Sequence, residues 1–338
     1  MKTLVISCVC LALSSQLVLA RRSSLDEWTL FKKQHGKVYE SPEEDARRFS
    51  LFLAANDRIE RHNQESGASY KLGQSHLSDW TREELNKLNG LRYDPSAKQS
   101  PEADEFLNQL MSDPKPVPDE VDWRKVPNRV SSVKDQGSCG SCWAFSTVGV
   151  LEGQQVVRNF TKKVVSLSVQ DLIDCSGNDS GCSGGLPREA LNDIMLAGGI
   201  ESELDYPYVG WEDETKCKFN KSKSVMSIDG YLDFVNMSEV VLKALVAKFG
   251  PVSVGVWADQ WPDYSSGVFH WPGPIAFLDH AVLVVGYGTD PKLGDYWIIK
   301  NSWNTKWGEK GYIRLRRGDG DCGIGQQVTI PTWSRKQV

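Results

Sequence analysis

All eight cysteines of this 338-residue chain lie in two places: Cys8 and Cys10 near the start, and six more from Cys139 onward. The first pair falls within Met1–Ala20, where Lys2 precedes the apolar run Leu4–Leu13 and Val18-x-Ala20 forms a small-residue cleavage pattern. Such a segment reads as a secretory leader, too short for a membrane anchor and followed at once by Arg21-Arg22. Removing it leaves Cys139, Cys142, Cys175, Cys182, Cys217 and Cys322 in an oxidising compartment, where most should be bridged. Four Asn-x-Ser/Thr sequons, at Asn159, Asn178, Asn220 and Asn236, agree with that route and are the candidate glycan sites. The expected destination is the lysosome or the extracellular space.

The cysteine-free part before them divides in two. Residues from about 23 to 91 are charged and helical in pattern. Phe49, Phe52, Leu53 and Ile59 are spaced for one helical face, with Glu43, Glu44, Arg47, Arg48, Arg58 and Arg61 on the others. Then come Pro95, Pro101, Pro114, Pro116 and Pro118, and proline lacks the amide donor that regular structure needs. This stretch is expected to be an exposed connector open to proteolysis.

Beyond the connector the texture changes once more. Residues 142–200 carry helical patterns, notably Ala144–Val157 and Ser168–Leu172. After about 225 the runs PVSVGVW, HAVLVVGYG, DYWIIKNSW, GYIRLRR and QQVTIP are of β type. A helical half followed by a β half predicts an α+β protein of two lobes with a site in the cleft between them. The net charge of −5 gives no basic footprint for nucleic acid, and no later segment is long and apolar enough to cross a membrane.

Cys139 and Cys142 stand three apart in QGSCGSCWAFS. A redox pair normally sits in a βαβ unit, and no such strand precedes it. A zinc site needs about four Cys or His ligands, with a second close pair that is not found here. A nucleophilic cysteine must be a thiolate, which a helix N-terminus favours. Cys142 opens the helical run WAFSTVGVLEGQQVV with Ser141 available as N-cap; Cys139 lies in the loop before it. For the base, the chain after the connector offers two histidines. His270 is in the loop-like VFHWPGPI and is expected at the surface, while His280 opens the strand DHAVLVVGYG. The separation of 138 residues between Cys142 and His280 lies within the interval of roughly 130–150 for papain-type pairs.

Three blocks now carry a resemblance. CGSCWAF, LDHAVLVVGYG and WIIKNSWNTKWGEKGY resemble, in order, the cysteine, histidine and asparagine blocks of papain-like cysteine proteases of the cathepsin L type, over nearly all of 117–338. The resemblance implies a papain-like two-lobed α+β fold, with a helical left lobe, a β-barrel-like right lobe and the active site in the cleft. It implies a leader over 1–20, an inhibitory propeptide over 21–116 and a mature peptidase over 117–338. It makes Cys142 the nucleophile, His280 its imidazolium partner, Asn301 the amide orienting the ring and Gln136 the oxyanion donor. Trp303 shields the His–Asn bond. Gly184 and Gly185 pair with extended substrate backbone, and Leu186, Pro187, Gly255, Leu278, Asp279, Ala281 and Gly325 complete the substrate-binding set. The apolar or small members imply Leu, Phe or Val rather than Arg at the second residue before the cut.

By the same analogy Cys139 pairs with Cys182 and Cys175 with Cys217, which leaves Cys322 without a partner and buried. Glu44, Arg48, Phe52, Ile59 and Asn63 match a cathepsin L-type propeptide motif in which Ala55 replaces an Asn. A second pattern survives only as Gly73, Ser75, Leu77 and Asp79. The implied partners are protein and peptide substrates, the chain's own propeptide as a cleft inhibitor, and cystatin-type inhibitors; the implied state is a monomer, with no metal or organic cofactor. Two other functions compete. A non-catalytic member would only bind proteins. A disulfide oxidoreductase would keep insulin reduction after Asn301→Ala.

Overall fold

The computed structural model describes residues 24–65, 67–212 and 217–333. The expected leader lies outside them. Among the described residues, no helix is long and apolar enough to cross a membrane.

The chain opens with two helices, α1 (24–35) and α2 (Pro42–Gln64). Ser41 caps α2 by accepting from the Glu44 amide, and Pro42 occupies the first turn, where its missing N–H costs nothing. The two helices meet through Trp28, Phe31 and Phe52, all buried. Short β1 (Tyr70–Leu72) follows, held to α2 by Asn63, whose side chain donates to the Leu72 carbonyl (2.8 Å) and accepts from its amide (3.0 Å). Helix α3 (Arg82–Lys87) carries a full capping box between Thr81 and Glu84. Arg48 ties α2 to α3, reaching both Glu44 (2.6 Å) and Glu84 (2.7 Å).

The proline-rich stretch is not a plain connector. It holds α4 (Pro101–Ser112), with Ser100 as cap and Pro101 in the first turn. Proline there starts a helix, and Ala103, Phe106, Leu107 and Leu110 pack it onto the body of the protein. The exposed connector expected from its prolines therefore contains a helix.

After β2 (Val121–Asp122) come the helices of the left lobe, α5 (Cys142–Glu152), α6 (Val169–Cys175) and α7 (Pro187–Ala197). All 11 residues of α5 are buried, so it is the axle of the molecule rather than an amphipathic surface helix. One side packs Trp143, Ala144 and Leu151 on Leu172, Leu191 and Ile194. The other meets the sheet so closely that a Cβ on Gly149 would lie 3.0 Å from Leu283.

The right lobe contains β3 (Gly230–Val235), α8 (Glu239–Phe249), β4 (Val252–Val256), β5 (Tyr264–Phe269), β6 (His280–Asp290), β7 (Gly294–Lys300), β8 (Tyr312–Arg316) and β9 (Gln327–Thr332). The sheet runs β1-β5-β8-β7-β6-β4-β9-β3, with β2 on β6. β4 throughout and β6 from His280 to Gly288 are buried, as strands covered on both faces should be. β1 joins β5 antiparallel, so the N-terminal segment extends the sheet of the right lobe. Disulfides link Cys139 to Cys182 and Cys175 to Cys217; Cys142 and Cys322 are free and buried.

Candidate active site

The site lies where the first turn of α5 meets the first residues of β6. Cys142 is fully buried, and its Sγ accepts from the Ala281 amide at 3.5 Å. Ser141 precedes the helix but makes no capping bond; its hydroxyl contacts Tyr208 (3.1 Å) instead. Of the helix amides, that of Trp143 is directed at the thiol, beside the amides of Ala281 and Gly90 from outside the helix.

His280 is also fully buried, and its Nε2 lies 2.8 Å from Asn301 Oδ1. An amide oxygen only accepts, so Nε2 carries the proton and Nδ1 is left for the thiol. Nδ1 has no partner among the described residues. The Ser302 amide also donates to Asn301 Oδ1 (2.8 Å), which fixes the orientation of the side chain. The Trp303 ring, 1% exposed, packs against the imidazole with ring centroids 4.9 Å apart.

Gln136 is held at both ends of its amide. Its Oε1 accepts from the Ser302 hydroxyl (2.7 Å), so Nε2 must point toward the cleft, where it donates to the carbonyls of Cys139 (2.8 Å) and Leu88 (2.9 Å). Tyr208 donates to the Gln136 carbonyl at 2.7 Å. Ser302 and Tyr208 were not visible as site residues in the sequence. Ser302 directly follows Asn301, but nothing in its type announces that it orients a glutamine 166 positions away.

The N-terminal segment fills this cleft. The Leu88 carbonyl is at the Gln136 amide and against the His280 ring, and the Gly90 amide is directed at Sγ. Gly185 donates to Gly90 O (2.9 Å), Arg92 donates to Gly185 O (3.0 Å), and Leu91 pairs with Gly185 in parallel. The glycines are required: a Cβ on Gly184 would lie 2.7 Å from Gly90 O. The Leu91 side chain enters a pocket of Leu186, Leu278 and Ala281 beside Cys142, a burial contributing roughly 1.5–3 kcal/mol. Asp279 frames the same stretch, its main-chain oxygen accepting from Leu91 N (3.0 Å) and its carboxylate from Asn89 (3.1 Å). Pro187 is buried at the start of α7, while Gly325 closes on Met237, whose amide donates to it at 2.7 Å.

Residues 117–332 match the papain family cysteine protease domain, and residues 28–85 match the cathepsin propeptide inhibitor domain (I29). The chain belongs to the papain family of cysteine proteases. It is 40% identical to cathepsin L of Sarcophaga peregrina, with 98% of this chain and 100% of the relative covered. Cathepsin L1 of Drosophila melanogaster is 41% identical over 91% of this chain and 85% of its own length. Among solved structures, digestive procathepsin L 3 from the larval midgut of Tenebrio molitor superposes with a TM-score of 0.80 at 37% identity. That likeness covers 91% of this chain and 99% of the other. The protein is thus a cathepsin L-like cysteine endopeptidase in its proenzyme form, with the papain-like fold.

Burial shapes the electrostatics of this papain-family proenzyme. It pushes the Cys142 thiol up to about 12 and the His280 imidazole down to about 4. Both shifts disfavour charge, so the docked segment holds the pair as neutral thiol and neutral imidazole. His270, expected at the surface, is partly buried, with Nδ1 2.8 Å from the Asp321 carboxylate. The four sequon asparagines are all exposed.

Proposed function

We propose that Cys142 is the nucleophile of this endopeptidase, with His280 as acid and base, Asn301 as its orienting amide and Gln136 as oxyanion donor. The observation that carries the assignment is the Leu88 carbonyl, which accepts from Gln136 Nε2 at 2.9 Å and lies against the His280 ring, as a scissile carbonyl would. Once the segment leaves, water and the helix dipole favour the thiolate–imidazolium pair. The thiolate then forms an S–C bond to the peptide carbonyl carbon, and Gln136 with the Cys142 amide stabilises the oxyanion. The C–N bond breaks as His280 gives its proton to the leaving amine. Water, deprotonated by His280, hydrolyses the thioester and returns the thiol.

The segment acts as a built-in inhibitor. The parallel pairing of Leu91 with Gly185 supports a chain direction opposite to that of a productive antiparallel substrate, so no scissile bond is presented to Sγ. We assign 1–20 as leader, 21–116 as propeptide and 117–338 as mature enzyme. Leu91 in its pocket supports preference for an apolar residue at the second position before the cut. The secretory route, a lysosomal or extracellular destination, glycans at the exposed sequons, a monomeric state and inhibition by cystatin-type proteins belong to the same proposal. Incubation at pH 4–5 with a thiol tests it: cleavage near Lys115–Val117 should occur and should be lost in Cys142→Ala. Cleavage by the purified Cys142→Ala chain would contradict it.

A further inference from the structure

Two aspartates that hold the N-terminal segment lie beside the cleft. Asp259 and Asp263 stand on either side of Trp261 in the connection between β4 and β5. Trp261 is fully buried and meets the His280 imidazole edge-on, with ring centroids 6.3 Å apart. Asp259 is near enough to Asp279, the residue before His280, for its charge to raise that carboxyl. Arg58 donates to the Asp263 carboxylate through Nε (3.2 Å) and Nη2 (2.9 Å). Arg82 pairs with the Asp259 carboxylate, and the two ion pairs line one cavity of about 290 Å³ together with Trp80 and Pro262. The mature part supplies Asp259 with a neutral donor, the Gln260 amide (2.8 Å). Among the described residues, the ion-pair partners of both aspartates are arginines of the N-terminal segment. The processing proposed above withdraws both guanidinium groups at once and leaves the two carboxylates on one face.

Chain direction decides what meets them next. By the assignment above, the Leu88 carbonyl stands for the scissile carbonyl, and Leu91 fills the pocket for the second residue before the cut. The segment runs opposite to a substrate, so its residues before Leu88 cover the path of substrate residues after the cut. Arg82 lies on that side. Each aspartate is two residues from a ring that touches the catalytic imidazole. At about 3.4 Å per extended residue, both carboxylates come within reach of roughly the second to fourth residues after the cut. We propose that Asp259 and Asp263 form an anionic docking site for basic substrate side chains at those positions. The processed enzyme then favours proteins with Arg or Lys just beyond the scissile bond, and Arg58 and Arg82 hold those places in the proenzyme. The inference rests on the cleft assignment and chain direction given under the proposed function.

The test uses the processed enzyme and fluorogenic peptides identical up to the first residue after the cut. The next three residues are all Arg, all Gln or all Glu. At low salt the wild-type enzyme should cleave the Arg peptide with a kcat/KM about five- to tenfold above that of the Gln peptide, and the Glu peptide more slowly than either. Screening should cut the Arg advantage to about twofold or less between roughly 20 mM and 0.5 M salt. Asp259→Asn combined with Asp263→Asn should remove the advantage at low salt, with cleavage of the Gln peptide within about twofold of wild type. An Arg/Gln ratio near one in the wild type, or a high ratio that the double substitution leaves unmoved, would overturn the proposal. If the double variant does not fold, the salt series decides alone, and an Arg advantage that persists at high salt overturns it. Cleavage of the Gln peptide that survives full alkylation of Cys142 would refute the active-site assignment itself, separately from the docking site.

Discussion

At Gln136 two neighbours decide what one amide can do. Ser302 donates to its oxygen, so its nitrogen has no choice but to face the cleft. Gln136→Ala should lower kcat by roughly 10²–10³-fold, the usual loss for one oxyanion donor, with KM little changed. Ser302→Ala should cost less, because the glutamine would still be present but free to turn. Steady-state kinetics on the processed enzyme separate the two. The types and spacing of Cys142 and His280 made them legible in the sequence, whereas Asn301 and Gln136 stood out only through the family resemblance. Ser302 and Tyr208 were not legible at all, because each acts through a partner distant in the chain.

Among the elements, the strands β4 and β6–β9 and the helix starting at Cys142 were readable because their hydrophobic runs are long and bounded by turn residues. Helix α4 was not, because its prolines suggest a linker until Pro101 is seen at a helix start, where proline is favoured. Helix α8, EVVLKALVAKF, lay hidden in a region otherwise of β texture. The inhibitory stretch Leu88–Arg92 has no regular structure, and its function depends on contact alone. Gly90 is its tightest point: an added Cβ would meet the Gly140 carbonyl oxygen at 1.9 Å, backbone against backbone. Gly90→Ala in the zymogen should therefore loosen the segment, by a strain of about 1–3 kcal/mol, and speed alkylation of Cys142 at neutral pH by about tenfold or more. An unchanged alkylation rate would count against the close fit.

Across the whole molecule, the N-terminal domain is fastened to the right lobe by β1 on β5, by Arg58 with Asp263 (2.9 Å), and by Arg82 with Asp259. A pair of histidines also lies at this junction. His35 and His76 are 6.5 Å apart, both with Nδ1 buried and unpartnered among the described residues. They face Lys37, Asp79, Asp135 and Lys306. Burial lowers both, His76 to about 4. A histidine whose pKa is depressed on docking stabilises the docked state fully above its ordinary 6.5, and that stability is lost as pH falls from 6.5 toward 4. His280 acts in the same sense. Asp279, raised by burial to about 7, and Asp263, also raised by burial, act in the opposite sense. His76→Phe should move the midpoint of autocatalytic processing to lower pH by roughly half a unit, measured by gel densitometry across pH 4–7. A midpoint that stays put or rises would remove His76 from the acid response.

The central claim is that one thiol, Cys142, does the chemistry and that the N-terminal segment keeps it buried and neutral. Iodoacetamide labelling at neutral pH tests this most directly, read by peptide mass spectrometry on the zymogen and on the processed enzyme. The prediction is slow labelling of Cys142 in the zymogen, rapid labelling after processing, and loss of peptidase activity in step with that one modification. Equal labelling rates in the two forms, or activity that survives full modification of Cys142, would contradict it.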